Sequence, residues 1–456
     1  MVLHCVPMAV AAGPNIIILL TDDMGYQDLS CQGSQDLVTK HIDSLALQGV
    51  RCTSGYVTSC MCSPSRAGLL TGRSQSRFGH EVNWEGPAAP NQGLPVGERT
   101  IADLLSSAGY QTGIVGKWHL GENTQFHPLN RGFDEFFGFL GGGHRYFCDL
   151  YRARSETRRV SEYDTLLESN RQPIETSGYL TDVLADQAVD FIHRHRQSPF
   201  FLYVSFNAPH APVQAAAEDL DHFSHIDDVT RRTYCAMMKR VDEGVGKILD
   251  QVRRDRLEEN CLIYFLSDNG GPLERNGSTN APLAGEKGGM WEGGIRVPFL
   301  VQWKGHLPAG KLYDRPVSSL DILPTALAAA GLDPPIDRPL DGVNLLPYFT
   351  GSVQGDPHAA LYWRMKLRKI WAVRSGDLKL VRQPAWPNKH IGGIQPRLID
   401  LSVDVAEEND LVMDRADDAQ RLSELFGQWS STLPEPLWEI SAAKAESSPK
   451  AEAAPE

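Results

Sequence analysis

The chain has 456 residues and a formal net charge of −13, from 57 acidic and 44 basic residues. Broad electrostatic binding to nucleic acid or to an anionic membrane needs a basic face, so this charge balance disfavours both kinds of partner. No apolar run approaches the roughly 18 residues that a membrane-spanning helix requires. The length predicts one large domain and one smaller domain.

The two ends of the chain have compositions unlike those of a folded domain. Residues 1–13 are largely apolar and contain Ala9-Val10-Ala11, which resembles the cleavage site of an export signal but lacks a basic segment before it. One interpretation is the remnant of an export signal, which predicts a periplasmic or secreted protein. The alternative is a plain disordered end, which is compatible with a cytoplasmic protein. Residues 441–456 are rich in Ala, Glu, Ser and Pro and are predicted to be disordered.

Short apolar runs recur along the chain, and each stops at a group of polar residues. Continuous apolar runs of this length are typical of strands that are buried on both faces, as in parallel sheets. The carboxyl ends of parallel strands lie at one edge of the sheet, where ligands bind. We therefore expect the polar residues after the runs to lie close together. The runs are Asn15–Leu20, Thr112–Gly116, Phe200–Ser205 and Cys261–Leu266.

Helical patterns separate these runs, at Ile101–Gly109, Tyr179–His195 and Thr230–Arg253. The alternation predicts an α/β fold, with a large, mixed, mostly parallel sheet sandwiched by helices. We assign residues 14–350 to this domain.

A smaller unit is predicted for residues 351–440. Ile370–Arg374 and Leu378–Arg382 have the pattern of a hairpin. Leu398–Leu401 can add a strand, and Asp417–Leu433 has the periodicity of an amphipathic helix. The sequence thus predicts a small antiparallel sheet with one helix, packed on the large domain.

The segment from Cys62 to Arg73 reads Cys-Ser-Pro-Ser-Arg-Ala-Gly-Leu-Leu-Thr-Gly-Arg. Ser63-Pro64 can open a helix, because proline is tolerated in the first turn. Cys62 then lies at the positive end of that helix, where backbone N–H groups attract an anion, and Arg66 lies on the same face. A cysteine considered alone is more often a small buried thiol, so the interpretation depends on companion residues elsewhere.

This segment resembles the signature of the type I sulfatases, Cys-x-Pro-Ser-Arg followed by Thr-Gly-Arg. The resemblance implies the alkaline phosphatase-like fold of that family and a catalytic sulfatase domain over residues 14–350. It also implies that Cys62 is oxidised to formylglycine (3-oxoalanine), and that a formylglycine-generating enzyme is a partner of this protein.

A metal site is implied by the same resemblance. The family holds a cation with two aspartates after the first strand and an Asp-Asn pair after a late strand, beside the modified cysteine. The matching residues are Asp22, Asp23, Asp268, Asn269 and Cys62. Carboxylate and amide oxygens suit a hard cation, so we expect Ca²⁺, with Mg²⁺ as the alternative. Taken singly, the aspartate pair could cap a helix and the Asp-Asn pair could form a turn.

The remaining catalytic residues come from further segments that match the family. Gly116–Gly121 reads Gly-Lys-Trp-His-Leu-Gly, which implies that Lys117 contacts the sulfate and that His119 lies beside the formylglycine. His210 resembles the histidine that contacts the leaving oxygen. Lys287 resembles the second sulfate-binding lysine.

The mechanism that the resemblance implies begins with hydration of the formylglycine to a geminal diol. The cation and Arg66 favour one hydroxyl as an oxyanion, which attacks sulfur and forms a covalent sulfo-enzyme intermediate. His210 protonates the leaving alcohol, while the two lysines and the metal offset charge on the sulfuryl oxygens. The second hydroxyl then loses its proton to His119, and sulfate is expelled.

Two loops are predicted to bind substrate, because mixed polar and aromatic residues suit a sugar. The loop after the signature supplies His80 and Glu81, and a glycine-rich loop supplies His144 and Arg145. The alternative is that these are surface residues without a role in binding.

The sequence therefore predicts a sulfuric ester hydrolase that removes an accessible, terminal sulfate from a sulfated carbohydrate. One alternative is a phosphodiester or phosphonate monoester hydrolase on the same scaffold. Another is a catalytically silent sulfatase-like binding protein. The intact Cys62, Arg66 and metal-type carboxylates favour the enzyme.

Overall fold

A computed structural model of the protein describes residues 13–84, 91–148, 163, 167–384 and 394–439. The predicted export signal at residues 1–13, apart from Gly13, and the predicted disordered tail at residues 441–456 lie outside the described part of the chain. None of the described helices combines the length and the apolar character needed to cross a membrane.

A ten-stranded sheet forms the centre of the large unit. Its strands are β1 (Asn15–Thr21), β2 (Val50–Cys52), β4 (Gln111–Lys117), β5 (Glu135–Phe139), β6 (Leu167–Ser169), β7 (Gln172–Ile174), β8 (Phe200–Ser205), β9 (Cys261–Ser267), β10 (Phe299–Gln302) and β11 (Lys311–Tyr313). Their order across the sheet is β11-β2-β10-β9-β1-β8-β4-β5-β6-β7. A separate pair is formed by β3 (Gly55–Tyr56) and β12 (Val317–Ser318).

The centre of the sheet is parallel. β1 lies between β8 and β9 and runs parallel to both, and β4 and β5 continue the parallel part beyond β8. Every residue of β1 and of β9 is buried, as expected for strands that are covered on both faces. β6, β7 and β10 pair antiparallel with their neighbours. The prediction of a large, mixed, mostly parallel sheet is confirmed.

Helices cover both faces of this sheet. They are α1 (Lys40–Leu47), α2 (Cys62–Thr71), α3 (Ile101–Ser107), α4 (Leu180–His195), α5 (Ala217–His222), α6 (Val229–Arg254), α7 (Glu292–Ile295), α8 (Ile322–Ala329) and α9 (Leu346–Thr350). Side chains alternate along β1, so that Ile17 and Leu19 pack with α1, α4 and α6, while Ile16 and Ile18 pack with α2, α3 and α8. The predicted helices correspond to α3, α4 and α6.

The strand register brings distant chain segments to one edge of the sheet. Thr21 at the end of β1 pairs with Ser267 at the end of β9. Ser205 at the end of β8 pairs with Leu20 on one side and with Gly116 on the other. Because these strands are parallel, the residues after them emerge together at the carboxyl edge.

The C-terminal unit is an antiparallel sheet with one helix, as predicted, and the sheet has four strands. Its elements are β13 (Leu361–Met365), β14 (Ile370–Ser375), β15 (Leu378–Arg382), β16 (Pro396–Asp400) and α10 (Ala416–Ser431), and the strands lie in chain order. Trp371 stacks on Phe426 of the helix with ring centroids 4.2 Å apart, and Tyr362 stacks on Trp429 at 4.9 Å. β13 is an additional strand that the sequence pattern did not predict.

Buried charges connect the two units. Lys379 on β15 pairs with Glu292 of α7 and with Glu407, at 2.8 Å in each case, and all of these side chains are fully buried. Burial would raise the pKa of Glu292, but Lys379 and neighbouring arginines hold it at about 2. Burial raises the pKa of Glu407 to about 7 against the opposing effect of Lys379. Since α7 comes directly after the segment of Lys287, this cluster attaches that segment to the C-terminal sheet.

Candidate active site

The amino end of α2 lies at the carboxyl edge of the sheet. The helix begins at Cys62, after an extended Met61 with φ −132° and ψ 146°, and ends at Gly72, whose φ of 62° is left-handed. Every residue of the helix is buried. The thiol of Cys62 therefore lies inside the protein, where the unpaired N–H groups of the helix favour negative charge.

Carboxylate and amide groups gather around this helix end. Asp22 and Asp23 follow β1 directly, and Asp268 and Asn269 follow its neighbour β9. Asn269 Nδ2 donates to Asp23 Oδ1 at 2.7 Å, and the backbone N–H of Asp23 donates to Asp268 Oδ1 at 3.4 Å. Asp23 has a φ of 70°, a strained conformation of a kind that is concentrated at functional sites.

The sulfur of Cys62 contacts this group. Sγ donates to Asp22 Oδ1 at 3.6 Å and lies 3.9 Å from Asp23 Oδ1. Nζ of Lys287 donates to the same sulfur at 3.0 Å. Burial raises the pKa of the Cys62 thiol to about 12, although Lys117 and Lys287 oppose the rise. The unmodified thiol is therefore protonated at neutral pH and is a poor nucleophile.

Two lysines bind the adjacent aspartates. Lys117, the last residue of β4, pairs with Asp22, and Lys287 pairs with Asp23. Burial would raise the pKa of Asp22, but Lys117 and the other nearby cations hold it well below its usual range. Burial would lower the pKa of Lys287, but Asp23 holds it well above its usual value. Two ammonium groups are thus placed at the aspartates that face Cys62.

The side chain of Arg66 extends from α2 to Asp268 and to the ends of β4 and β8. Its Nε and Nη2 bind Asp268 Oδ2 at 2.9 and 2.8 Å, so this predicted metal ligand is held by the guanidinium. Its Nη1 donates to Ser205 Oγ at 2.5 Å and to the Lys117 carbonyl at 3.1 Å. Burial raises the pKa of Asp268 to about 7, with Asp22 adding to the rise and Arg66 opposing it. Sequence reasoning missed Ser205, although its place at the end of an apolar run was a usable signal.

Two histidines complete the centre. Nδ1 of His210 donates to the Ala211 carbonyl at 2.7 Å, which leaves Nε2 3.5 Å from Asp23 Oδ2. His119 is buried with a φ of 58°, and its Nδ1 has no hydrogen-bond partner among the described residues. Burial, with the charge of Lys117, holds the pKa of His119 well below its usual value, and burial also lowers that of His210. Both rings are neutral at neutral pH and can accept a proton.

The group fits a divalent cation. Asp22, Asp23, Cys62 and His210 each offer one ligand atom, and these atoms lie within 4.8 Å of one another. Asn269 adds Oδ1, a buried oxygen that has no hydrogen-bond partner within the described part of the chain. Such an orphaned oxygen costs about 1–3 kcal/mol, and coordination of a cation would satisfy it. The donor atoms are mostly oxygens, which suit a hard cation.

His80 and Glu81 are buried next to the amino end of α2. Nε2 of His80 lies 2.8 Å from Ser63 Oγ, and burial lowers the pKa of His80 to about 3. Glu81 accepts from Arg364 Nε at 2.5 Å and from the Lys366 backbone N–H at 2.8 Å. These contacts join the loop to α2 and to the C-terminal sheet. Substrate binding by the two residues stays a prediction.

The second predicted substrate loop packs beside His119. A Cβ on Gly142 would lie 2.9 Å from His119 Nε2, so the loop needs glycine there to approach the ring. His144 is buried, and its Nδ1 donates to the carbonyl of Arg145 at 2.6 Å. Arg145 is partly buried. Their role in binding substrate also stays a prediction.

Known proteins are similar to this chain in sequence and in fold. A model of the sulfatase family matches residues 14–332. N-acetylgalactosamine-6-sulfatase of Canis lupus familiaris is 38% identical over 353 residues, which cover 74% of this chain and 66% of the relative. The uncharacterised sulfatase YdeN of Escherichia coli K12 is 34% identical over 406 residues, covering 77% and 68%. This chain thus spans about two thirds of the length of these relatives.

A solved structure matches more of the chain. The crystal structure of Ps i-CgsB in complex with k-i-k-neocarrahexaose has a TM-score of 0.89 and 36% identity, and the match covers 95% of this chain and 96% of that one. The fold is that of an α/β enzyme, and the candidate active site lies at the carboxyl edge of its mostly parallel sheet. The chain belongs to the sulfatase family.

Proposed function

We propose that this protein hydrolyses sulfate esters of carbohydrates, with residue 62 converted from cysteine to formylglycine by a maturing enzyme. The observation that carries the proposal is the convergence of distant segments on one sulfur atom. Sγ of Cys62 lies within 3.9 Å of Asp22 Oδ1, Asp23 Oδ1 and Lys287 Nζ. These are residues that the resemblance to the sulfatases predicts around the nucleophile.

Local positive charge supports an anionic substrate. The whole chain carries a net charge of −13, yet Arg66, Lys117 and Lys287 are concentrated in one buried site. Cations in a water-excluded site stabilise developing negative charge far better than they do in water. The two ammonium groups would bind sulfuryl oxygens, while Arg66 keeps Asp268 in place.

Position 62 suits the modified residue better than a thiol. Formylglycine, as its hydrate, supplies a hydroxyl nucleophile together with a second hydroxyl from which the sulfate can be released. The amino end of α2 and the adjacent Lys287 both favour negative charge on an oxygen at this position. A thiol with a pKa of about 12 offers neither property.

The cation that we propose is Ca²⁺, with Mg²⁺ as the alternative. Asp22, Asp23, Asn269 and residue 62 would hold it, with Asp268 close by. An irregular set of oxygens from separate chain segments suits Ca²⁺ better than the strict octahedron of Mg²⁺. The ion would supply Lewis acidity at the nucleophilic oxygen.

Proton transfer falls to the two histidines. The Ala211 carbonyl fixes the proton of His210 on Nδ1, so Nε2 is the atom that takes up a proton and passes it to the leaving alcohol. Approach of an anionic sulfate ester to His210 favours this protonation. His119, which is neutral, would accept the proton that residue 62 loses when sulfate departs.

A sulfated carbohydrate is the substrate class that the relatives favour. One relative is named for N-acetylgalactosamine 6-sulfate, and the structure of Ps i-CgsB contains a neocarrahexaose. A buried centre admits the end of a glycan chain more readily than its interior, which suits removal of a terminal sulfate. We also propose a periplasmic or secreted location, which the composition of residues 1–13 supports.

Peptide mass spectrometry of the segment around residue 62 tests the modification. Protein purified from its native host is expected to carry an aldehyde in place of the thiol. An unmodified thiol there would favour the silent binding protein.

Sulfate release from defined sulfated mono- and oligosaccharides tests the reaction, with a Cys62→Ala variant as the control. We expect sulfate esters to be cleaved faster than a matched phosphonate monoester, and the reverse order would identify the alternative hydrolase. Removal of divalent cations is expected to abolish activity, and Ca²⁺ to restore it. Undiminished activity of the modified, cation-free protein would contradict the metal assignment.

A further inference from the structure

A cavity lies between the segment of Lys287 and the C-terminal sheet. Its volume is about 300 Å³, and its walls come from residues 286–289 and Trp291 on one side and from Arg368, Ile370 and Gln383 on the other. Ligand-binding clefts span roughly 300–1,000 Å³, so this cavity suits a single sugar unit and not a polymer. None of the residues predicted from the sequence to bind substrate in the two loops lines it.

The cavity adjoins the reactive centre. Lys287 is one of its wall residues and also donates to Cys62 Sγ at 3.0 Å. A Cβ on Gly288 would lie 3.7 Å from Arg368 Nη1 and 3.9 Å from Met61 Sδ. The guanidinium of Arg368 therefore lies beside the chain neighbours of Lys287 and Cys62.

The charge of the cavity suits an anion. Arg368 is exposed, and no acidic side chain among the described residues pairs with it. Glu286 is the one acidic residue in the described wall. A guanidinium presents a planar fork of N–H donors that matches the oxygens of a sulfate or a carboxylate. This basic group faces a cavity on a chain whose net charge is −13.

The cavity also offers carbon surface to the apolar face of a sugar ring. Trp291 contributes this surface on one side and Ile370 on the other. The indole ring of Trp291 is held by the guanidinium of Arg397, 5.3 Å from its centroid, and by a hydrogen bond from Nε1 to the Pro384 carbonyl at 3.3 Å. The cavity thus combines apolar surface with two cationic residues, Lys287 and Arg368.

A larger cavity, of about 400 Å³, lacks this combination. It lies between Thr53 and the C-terminal sheet, and two of the arginines in its wall already bind other side chains of the protein. Arg296 binds Glu292 at 3.3 Å, and Arg374 donates to the hydroxyl of Tyr56.

We propose that the cavity beside Lys287 binds a second anionic group of the substrate, a sulfate or a carboxylate, and that Arg368 is the residue that binds it. The cleaved sulfate lies at Lys287, and the second group lies on the same sugar or on its neighbour. The inference rests on the proposed sulfatase function, since it takes Lys287 as a ligand of the cleaved sulfate. It makes the substrate a saccharide that carries more than one negative group.

Calorimetric binding to the inactive Cys62→Ala variant tests this directly. The probes are N-acetylgalactosamine 6-sulfate, its 4,6-disulfate, and a disaccharide in which a hexuronic acid adjoins the 6-sulfated sugar. At least one doubly charged probe is expected to bind roughly tenfold more tightly than the monosulfate. The identity of the tighter probe distinguishes a second sulfate from a carboxylate.

Two further substitutions on this background assign the effect to Arg368. Arg368→Ala is expected to abolish the preference and Arg368→Lys to keep part of it. The control is Arg421→Ala, which removes an exposed arginine of α10 that lies 3.3 Å from Asp418 Oδ1, and it should keep the full preference. Equal affinity for all probes, absence of binding, or an equal effect of Arg421→Ala would overturn the proposal.

Kinetics on the active, modified enzyme provide the second readout. Arg368→Ala is expected to lower the ratio of kcat/KM for the preferred doubly charged probe to kcat/KM for the monosulfate by roughly tenfold. An unchanged ratio contradicts the proposal. If the enzyme cleaves no sulfate ester, the proposed function fails, while the calorimetric comparison still decides whether the cavity binds a second anion.

Discussion

Arg66 shows how a single residue serves both the structure and the site. Its side chain is fully enclosed and binds Asp268, Ser205 and the Lys117 carbonyl, so it connects α2 to the ends of β4, β8 and β9. The carboxylate of Asp268 is itself buried and depends on this guanidinium for compensation. Loss of the guanidinium would leave the buried carboxylate of Asp268 without this charged partner, and an unpaired buried charge is strongly destabilising.

Arg66→Ala is therefore expected to lower the free energy of unfolding by about 3–5 kcal/mol, in addition to abolishing activity. Urea denaturation measures the loss. Arg77→Ala serves as the matched control, because Arg77 pairs with Asp341 at 2.6 Å but is 35% exposed, and its loss should cost less than about 1 kcal/mol. Equal losses of unfolding free energy in the two variants would show that the buried pair of Arg66 and Asp268 stabilises the protein no more than the exposed pair does.

Among the elements, α2 shows how close packing constrains a single residue. It is buried along its whole length, and it carries Cys62 at one end and Arg66 one turn further on. Gly68 permits this packing, because a Cβ there would overlap the hydroxyl group of Thr58. Gly68, which lies between the two parts of the signature, thus has a steric reason that is independent of the chemistry at residue 62.

Gly68→Ala is expected to destabilise the protein by about 1–3 kcal/mol and to lower kcat by displacing the helix. Adding Thr58→Ala should recover part of both losses. In contrast, Gly427→Ala in α10, where a Cβ meets open space, should stabilise the fold by about 0.5–1 kcal/mol. Thermal unfolding and sulfate release measure these effects, and failure of the second substitution to recover anything would argue against the overlap.

At the scale of the whole molecule, polar contacts hold the C-terminal unit against the large one. Besides the buried cluster of Lys379, His358 before β13 binds both oxygens of Asp321, at 2.8 and 3.0 Å. Burial would lower the pKa of His358, but the Asp321 carboxylate raises it above its usual value. The imidazolium therefore stabilises the junction fully below the unfolded-state pKa of about 6.5, and this contribution is lost as pH rises through the folded-state pKa.

His358→Gln should accordingly cost more stability in acid than in base. We expect a loss of about 1.5–3 kcal/mol near pH 5.5, the range for hydrogen bonds to charged groups, and a clearly smaller loss near pH 9. Chemical denaturation at the two pH values measures it. His225→Gln, at an exposed position, should show no such pH dependence, and a pH-independent loss in His358→Gln would contradict the ion pair.

The sequence by itself determined the class of fold and most of the residues that meet at the candidate active site. Apolar runs such as Asn15–Leu20 specify strands buried on both faces, and parallel strands direct the residues after them to one edge of the sheet. For that reason the sequence pattern was sufficient to predict that Asp22, Lys117 and Asp268 lie together. The helix start at Cys62 was predictable in the same way from Ser63-Pro64.

The tertiary structure alone decided which groups surround that centre. Glu81 pairs with Arg364, and Arg368 reaches the cavity beside Lys287, through docking of the C-terminal sheet on the large unit. Such contacts join residues far apart in the chain, and they depend on how two folded surfaces meet. Local periodicity reports which face of an element is buried, but it contains no information about the partner surface that buries it.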